Sequence, residues 1–213
     1  SMPARVELLV TYSGAESARP GFANNVWIVG DDAECVVIDA AHDALAIAAA
    51  VGKRRVLAIL LTHGHWDHVG AAPALREIVE APVLLNPADL PLWLVTNPDT
   101  LPDGDLADSL VLTVAGTSLE VRHTPGHTPG ASVVLAPELG VVFSGDTLFH
   151  GGPGATRWEY SDFPQIIESI SSRLLTLPAE TVVHTGHGED TTIGAEAPDV
   201  AGGGGGSWWV RGW

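Results

Sequence analysis

Basic side chains are scarce in this chain of 213 residues. Ten Lys and Arg stand against 26 Asp and Glu, a formal net charge of −16 with a pI near 4.7. Such a surface repels a phosphate backbone, which argues against a nucleic-acid partner. The Lys53-Arg54-Arg55 run is too short to alter that and suits the end of a helix. Cysteine is nearly absent. Cys35 stands alone in an apolar, strand-like run, so no internal disulfide can form and a buried structural thiol is expected. No apolar run approaches the roughly 20 residues that span a bilayer, so no membrane segment is expected. The N-terminus has no basic region followed by an apolar stretch, so no signal peptide is expected and a cytoplasmic location fits. Charged residues make up only 17 % of the chain and hydrophobic ones 46 %, which excludes a disordered chain.

Histidine, by contrast, is concentrated. Thr62-His63-Gly64-His65-Trp66-Asp67-His68 places three imidazoles and a carboxylate within one short stretch. The apolar run over residues 56–61 before it is short and rich in Leu and Ile, and reads as a buried strand. The cluster therefore lies where a strand passes into a loop, the usual place for chemistry in open α/β folds. Neutral imidazole and carboxylate suit zinc, and also iron or manganese. His63 and His65 are two apart and point the same way from an extended loop. Asp67 and His68 come where the chain turns into a helix and point to a neighbouring spot. One ion cannot easily take all four ligands from so short a segment. Two adjacent ions, roughly 3.5–4 Å apart, can.

More ligand-type residues follow other strands. His127 lies in His123-Thr124-Pro125-Gly126-His127-Thr128-Pro129-Gly130, Asp146 in Ser144-Gly145-Asp146-Thr147, and His187 in His184-Thr185-Gly186-His187-Gly188. Each sits beside glycine, which lets the backbone turn sharply. A lone loop histidine is seldom a ligand; the recurrence at four strand ends carries the argument.

Strands are expected over residues 6–12, 24–29, 34–39, 56–61, 83–86, 119–123, 132–136, 141–143 and 181–184. Helices are expected over 41–51, stopped near Gly52, and over 68–80 despite Pro73. A third is expected over 163–175, with Ile166, Ile167, Ile170 and Leu174 on one face and Ser161 or Asp162 as its cap. Residues 87–105 read as a long irregular connection of the type that walls an active site. This order implies an α/β fold of four layers, an αββα sandwich with helices outside two sheets. Residues 1–197 read as one domain and residues 198–213 as a Gly/Trp-rich tail. The pentaglycine in that tail reads as a linker, while Trp208, Trp209 and Trp213 leave open an aromatic patch that docks on the body or on a second subunit.

The motif series resembles the metallo-β-lactamase superfamily, and within it the glyoxalase II-like hydrolases, over residues 24 to about 195. The stretches that carry the likeness are residues 62–68, Gly126-His127-Thr128, Ser144-Gly145-Asp146-Thr147 and Gly186-His187-Gly188. The resemblance implies one metal on His63, His65 and His127, and a second on Asp67, His68 and His187, with Asp146 bridging both. It implies two divalent ions, zinc first, with iron or manganese also fitting. Asp39 matches a position that hydrogen-bonds beneath the site, with a helix N-cap as the plain alternative.

The implied activity is hydrolysis of a small-molecule thioester or ester by a hydroxide shared between the ions, with Asp67 and Asp146 as catalytic carboxylates. No acid for an amide nitrogen is visible, which favours the thioester or ester. The alternatives are a mononuclear iron persulfide dioxygenase, a lactonase and, outside enzymology, a metal-binding scaffold without turnover. Persulfide dioxygenases usually carry Cys-Gly-Arg-Thr-Asp after the bridging Asp, where this chain has Gly151-Gly152-Pro153-Gly154-Ala155-Thr156. Glyoxalase II follows the equivalent of His187 with a basic helical domain, where only a short tail stands here, so the thiol carrier stays open. Asp146 argues against a true β-lactamase. Arg157, Trp158 and Tyr160 fall where relatives contact substrate, and Trp66 is expected to pack against the pocket wall. His42 and His150 read as ordinary; His123 and His184 read either as structural or as neighbours of the site. The assembly expected is a monomer or homodimer.

Overall fold

The computed structural model describes residues 3–201. Strands β1 (Arg5–Tyr12), β2 (Ala23–Gly30), β3 (Glu34–Ile38), β4 (Arg55–Leu61) and β5 (Val83–Leu85) form a five-stranded sheet in that order. The first three pair antiparallel, and β3, β4 and β5 run parallel. Strands β6 (Val111–Val114), β7 (Thr117–His123), β8 (Ser132–Ala136), β9 (Val141–Gly145), β12 (Val182–Thr185) and β13 (Thr191–Thr192) form a six-stranded sheet, order β13-β12-β9-β8-β7-β6. A small ribbon, β10 (Leu148–Phe149) with β11 (Gly152–Pro153), follows Asp146. The helices are α1 (Ala44–Val51), α2 (Trp66–Val69), α3 (Ala72–Val79), α4 (Leu90–Thr96), α5 (Phe163–Arg173) and α6 (Ile193–Ala201).

Three apolar interfaces glue four layers, as the element order implies. Alternate residues of one strand serve different interfaces, because successive side chains point to opposite faces. In β2, Val26 and Ile28 face α1 and α3, whereas Trp27 and Val29 face the second sheet. In β8, Val134 and Ala136 face the first sheet, whereas Val133 and Leu135 meet Ile166, Ile170 and Leu174. Full burial of each such side chain is worth about 1.5–3 kcal/mol. The register of β3 against β4 shifts between Cys35 and Val37, which sit opposite Val56 and Ile59. That extra residue lets Ala58 and Leu60 face the second sheet. Cys35 is buried in the first interface, and burial raises its thiol pKa.

Several boundaries differ from expectation for local reasons. The first helix begins at Ala44, because His42 takes φ +62° and the Asp43 side chain caps Ala46 N. The expected helix over 68–80 is two helices. Ala71 N bonds to Ala40 O, and Asn97 Nδ2 to Val69 O, which pulls the backbone out of helical pairing between them. Residues 87–105 contain a 3-10 turn, Pro87–Asp89, and then α4. Pro87 and Pro91 sit in first turns, where a missing N–H costs nothing, so they are starts and not breakers. The α5 cap is Asp162, which accepts from Gln165 N. Helix α6 crosses the expected boundary at 197/198, and the Gly/Trp-rich stretch from 202 onward lies outside the described residues. Among the described residues no helix is long and apolar enough to cross a membrane.

Candidate metal centre

The seven residues singled out converge at one end of the two sheets. His63 and His65 follow β4, Asp67 and His68 lie on the one-turn helix α2, His127 follows β7, Asp146 follows β9 and His187 follows β12. His63, His65 and His127 offer ligand atoms within 4.8 Å of one another. Asp67, His68, Asp146 and His187 do the same. The two groups share a wall. Asp146 Oδ2 lies 3.6 Å from His63 Nε2, 3.4 Å from His127 Nε2 and 3.4 Å from His187 Nε2, and Asp146 Oδ1 lies 3.2 Å from His68 Nε2.

Each imidazole is tethered from behind through one ring nitrogen. Nδ1 of His63 meets Thr62 Oγ1 at 3.1 Å, that of His68 meets Asp39 Oδ2 at 2.8 Å, that of His127 meets Ala155 O at 2.6 Å, and that of His187 meets Ala23 O at 2.8 Å. His65 is turned the other way, with Nε2 held by Tyr160 OH at 2.7 Å and Nδ1 facing His127 Nε2 at 3.1 Å. Tethering one nitrogen fixes the ring and leaves the other as a lone-pair donor. The inward atoms are poorly satisfied by the protein. His63 Nε2 is buried without a hydrogen-bond partner, and Asp146 Oδ1 meets no hydrogen-bond geometry despite the nearby His68. Unpartnered donor atoms of this set, aimed at one another, fit a divalent cation.

Charge compensation shows the same demand. Against the cost of burial, the charges of Asp146, Asp67 and Asp39 raise His68 well above its ordinary pKa. His187, likewise held up against burial by Asp146 and Asp67, is raised to about 9. Asp67 and Asp146 are lowered well below the usual carboxylate range despite their burial, chiefly by His68 and His187. His63 is pushed well down by burial and by His68, and His65 is pushed to about 3 by burial and by His127. Without an ion, protonation of His68 and His187 supplies the positive charge that the buried carboxylates require, a charge that a divalent cation would supply in its place.

Glycines permit the close approach. A Cβ on Gly154 would stand 1.7 Å from Asp146 O, and one on Gly186 would stand 2.3 Å from Asp146 Oδ1. The sheets are stitched next to the site: Asn25 N bonds to Gly186 O, and both Asn25 Nδ2 and Trp27 Nε1 bond to Thr185 O.

The expected residues lie together, and of the two readings of Asp39 the one that supports the site holds. Asp39 is not a helix cap. It accepts from Thr62 N and Thr62 Oγ1 and pairs with His68. His42 is not a bystander, for its Nε2 meets Asn24 Oδ1 at 2.8 Å while Asn24 Nδ2 donates to Asp67 Oδ2. The polar pair Asn24-Asn25 at the head of an apolar strand was the available signal. Asp89 is fully buried beside the first group, inside a segment that reads as loop. The His184 ring packs at a tilt against Trp27, centroids 4.2 Å apart, and His123 bonds to Pro129 O, so both are structural.

A cleft of about 340 Å³ opens onto Asp67 and Asp146. Phe22, Trp66 and Trp158 form its apolar sides, with Arg19 and Arg157 at its margin. Trp66 stacks on Phe22, as a wall residue should. Arg19 lies 3.9 Å above the Phe22 ring and Arg157 4.4 Å above Trp158. Burial and the charge of Asp89 raise Tyr160 to about 12, so its hydroxyl stays neutral.

The family model described as "Metallo-beta-lactamase superfamily" matches residues 19–187. The chain belongs to that superfamily. It is 34 % identical to the probable metallo-hydrolase YqgX of Bacillus subtilis, covering 80 % of this chain and 87 % of the relative. It is 32 % identical to the hydroxyacylglutathione hydrolase GloC of Haemophilus influenzae, covering 82 % and 90 %. Among solved structures, TTHA1623 in a di-iron-bound form matches with a TM-score of 0.74 and 35 % identity, covering 89 % of this chain and 96 % of that one. The B3 metallo-beta-lactamase BLEG-1 matches with a TM-score of 0.76 and 32 % identity, covering 90 % and 97 %.

Proposed function

We propose that this superfamily member is a dinuclear metal-dependent hydrolase of a small thioester or ester. The reading rests on one observation: two compact donor groups, each able to hold an ion, share Asp146 between them. His63, His65 and His127 would hold the first ion, and Asp67, His68 and His187 the second, with Asp146 reaching both. The ions would acidify a water and stabilise the oxyanion that forms on an attacked carbonyl. We read them as zinc, with iron the main rival because TTHA1623 is described with two irons.

The chain's own residues shape the rest. Asp67 faces the cleft, anchored by Asn24, and would orient the attacking water. Phe22, Trp66 and Trp158 line the cleft and would exclude bulk water from an acyl chain. Among the described residues Arg5, Arg54, Arg76, Arg122 and Arg173 pair with carboxylates. Arg19 and Arg157 pair with no carboxylate among those residues, and both line the cleft of an otherwise acidic protein. That pairing suits an acyl thiol bearing a carboxylate, and the name of GloC points the same way.

The test is metal analysis followed by assay of zinc- and iron-loaded protein on acyl thioesters, lactones, a persulfide and a β-lactam. Two ions per chain and fastest turnover of an anionic thioester are expected, with turnover abolished in Asp146→Ala. The β-lactam belongs in the panel because BLEG-1 is named a B3 metallo-beta-lactamase. One iron per chain with oxygen uptake on the persulfide would overturn the reading.

A further inference from the structure

Asp89 has no place in the donor set, yet it touches both loops that carry the first one. It ends the Pro87–Asp89 turn and precedes α4, whose Leu92, Val95 and Thr96 line the cleft. Its Oδ2 accepts from Gly64 N at 2.9 Å and from Thr128 Oγ1 at 2.6 Å, and its Oδ1 accepts from Gly130 N at 2.6 Å. Gly64 stands between His63 and His65, and Thr128 follows His127. One carboxylate thus spans two loops more than 60 residues apart in sequence, at the point where they must meet. Both glycines make room for it. A Cβ on Gly130 would stand 2.8 Å from Asp89 Cγ, and one on Gly64 would stand 2.8 Å from Asp89 O. The second donor group gets its comparable support elsewhere, from Asp39 behind His68 and Asn24 behind Asp67.

We propose that Asp89 is a positioning residue that sets the spacing of His63, His65 and His127 and acts on that group selectively. A buried carboxylate can donate nothing, so all three of its partners must be donors, and the two loops can approach only in the register that presents them. An isosteric amide would turn an N–H toward one of those donors and force the loops apart. The proposal builds on the paired-ion reading above, and the experiment separates the two.

Cobalt binding to metal-stripped protein is measured by calorimetry and by visible absorption in two single-group backgrounds. His68→Ala damages the second group, and His127→Ala damages the first. Adding Asp89→Asn to His68→Ala should weaken the remaining ion by about tenfold or more, as loss of outer support does elsewhere. Adding it to His127→Ala should change binding less than about twofold. Equal loss in both backgrounds would show a general structural brace, and no loss in the first would show no role; either overturns the proposal. Should Asp89→Asn fail to fold, Thr128→Val and Thr128→Ser in the same backgrounds decide the matter. The valine should weaken the first group and the serine should restore it, and matching behaviour of the two overturns the proposal. A wild-type protein that binds a single ion would refute the paired-ion reading while the His68→Ala comparison still decides the role of Asp89.

Discussion

His68 turns one ring nitrogen to Asp39, 2.8 Å away, and the other to Asp146, 3.2 Å away. A fully buried imidazole held between two carboxylates is fixed in both position and tilt. The outer carboxylate therefore matters to the inner one, although Asp39 faces away from the cleft. Asp39→Asn would place an amide N–H against either Thr62 or His68. The expected result is a roughly 10–100-fold weaker second metal, by loss of the partner that orients its ligand. Stability should fall by about 1–3 kcal/mol, the cost of a buried donor left unpaired. Metal titration and denaturant unfolding check the two parts separately.

The metal-free protein should have a bell-shaped stability profile. His68 and His187 are raised, His187 to about 9 from an ordinary 6.5. The contribution of each is complete below about pH 6.5 and is lost as pH rises through its raised value, about 9 for His187. His63 and His65 are lowered, His65 to about 3, so the unfolded chain takes protons that the folded one refuses. Stability therefore also falls as pH drops below about 6.5, and the lowered Asp67 and Asp146 steepen that fall near the carboxylate range. Ligation requires neutral imidazole, so metal uptake at pH 7 should release protons from His68 and His187. Binding heats that did not vary with the ionisation heat of the buffer would contradict this.

Gly186→Ala tests how tightly the wall between the two groups is built. The new methyl would stand 2.3 Å from Asp146 Oδ1 and 3.0 Å from His68 Cε1. The carboxylate must move, and with it the atom that both groups share. Activity should fall at least about a hundredfold, with less than two metals retained, while far-UV circular dichroism stays unchanged. Normal metal content would mean that Asp146 has more freedom than its packing implies.

The arginines at the cleft margin should act on binding more than on chemistry. Arg19→Ala with Arg157→Ala should raise KM for a carboxylate-bearing thioester roughly tenfold and leave kcat nearly unchanged, the pattern of uniform binding. A neutral thioester of the same length should show little change. Rising salt should mimic the double substitution.

The donors were legible because their chemistry is local. A histidine or acid beside glycine at a strand end is visible in the residues themselves, and His63, His65, Asp67, His68, His127, Asp146 and His187 do lie together as two groups that could each hold an ion. Sheet strands with long apolar runs, such as β2 and β4, were legible for the same reason. What escaped depends on contacts across the chain. Asp89 reads as one acid among several in a Pro-rich loop, and only the folded chain shows Gly64, Thr128 and Gly130 around it. The break between α2 and α3 comes from Ala40 and Asn97, neither of which belongs to the helical pattern. Asn24 and His42 gained their roles from a hairpin and a left-handed turn that place them over Asp67.

The parallel pairing of β12 with β9 brings Thr185 beside Gly145, and Asn25 of β2 closes on Gly186. The last donor is thus seated by contacts between strands drawn from opposite ends of the sequence. Folds rich in contacts of such long separation fold slowly, because loop closure must come before those contacts can form. During synthesis, an ion arriving early would find the histidines of residues 63–68 without His187 to complete their surroundings. If the ions are held as proposed, the complete donor set would exist only once the final strands have docked, and an ion taken up earlier would meet only part of it.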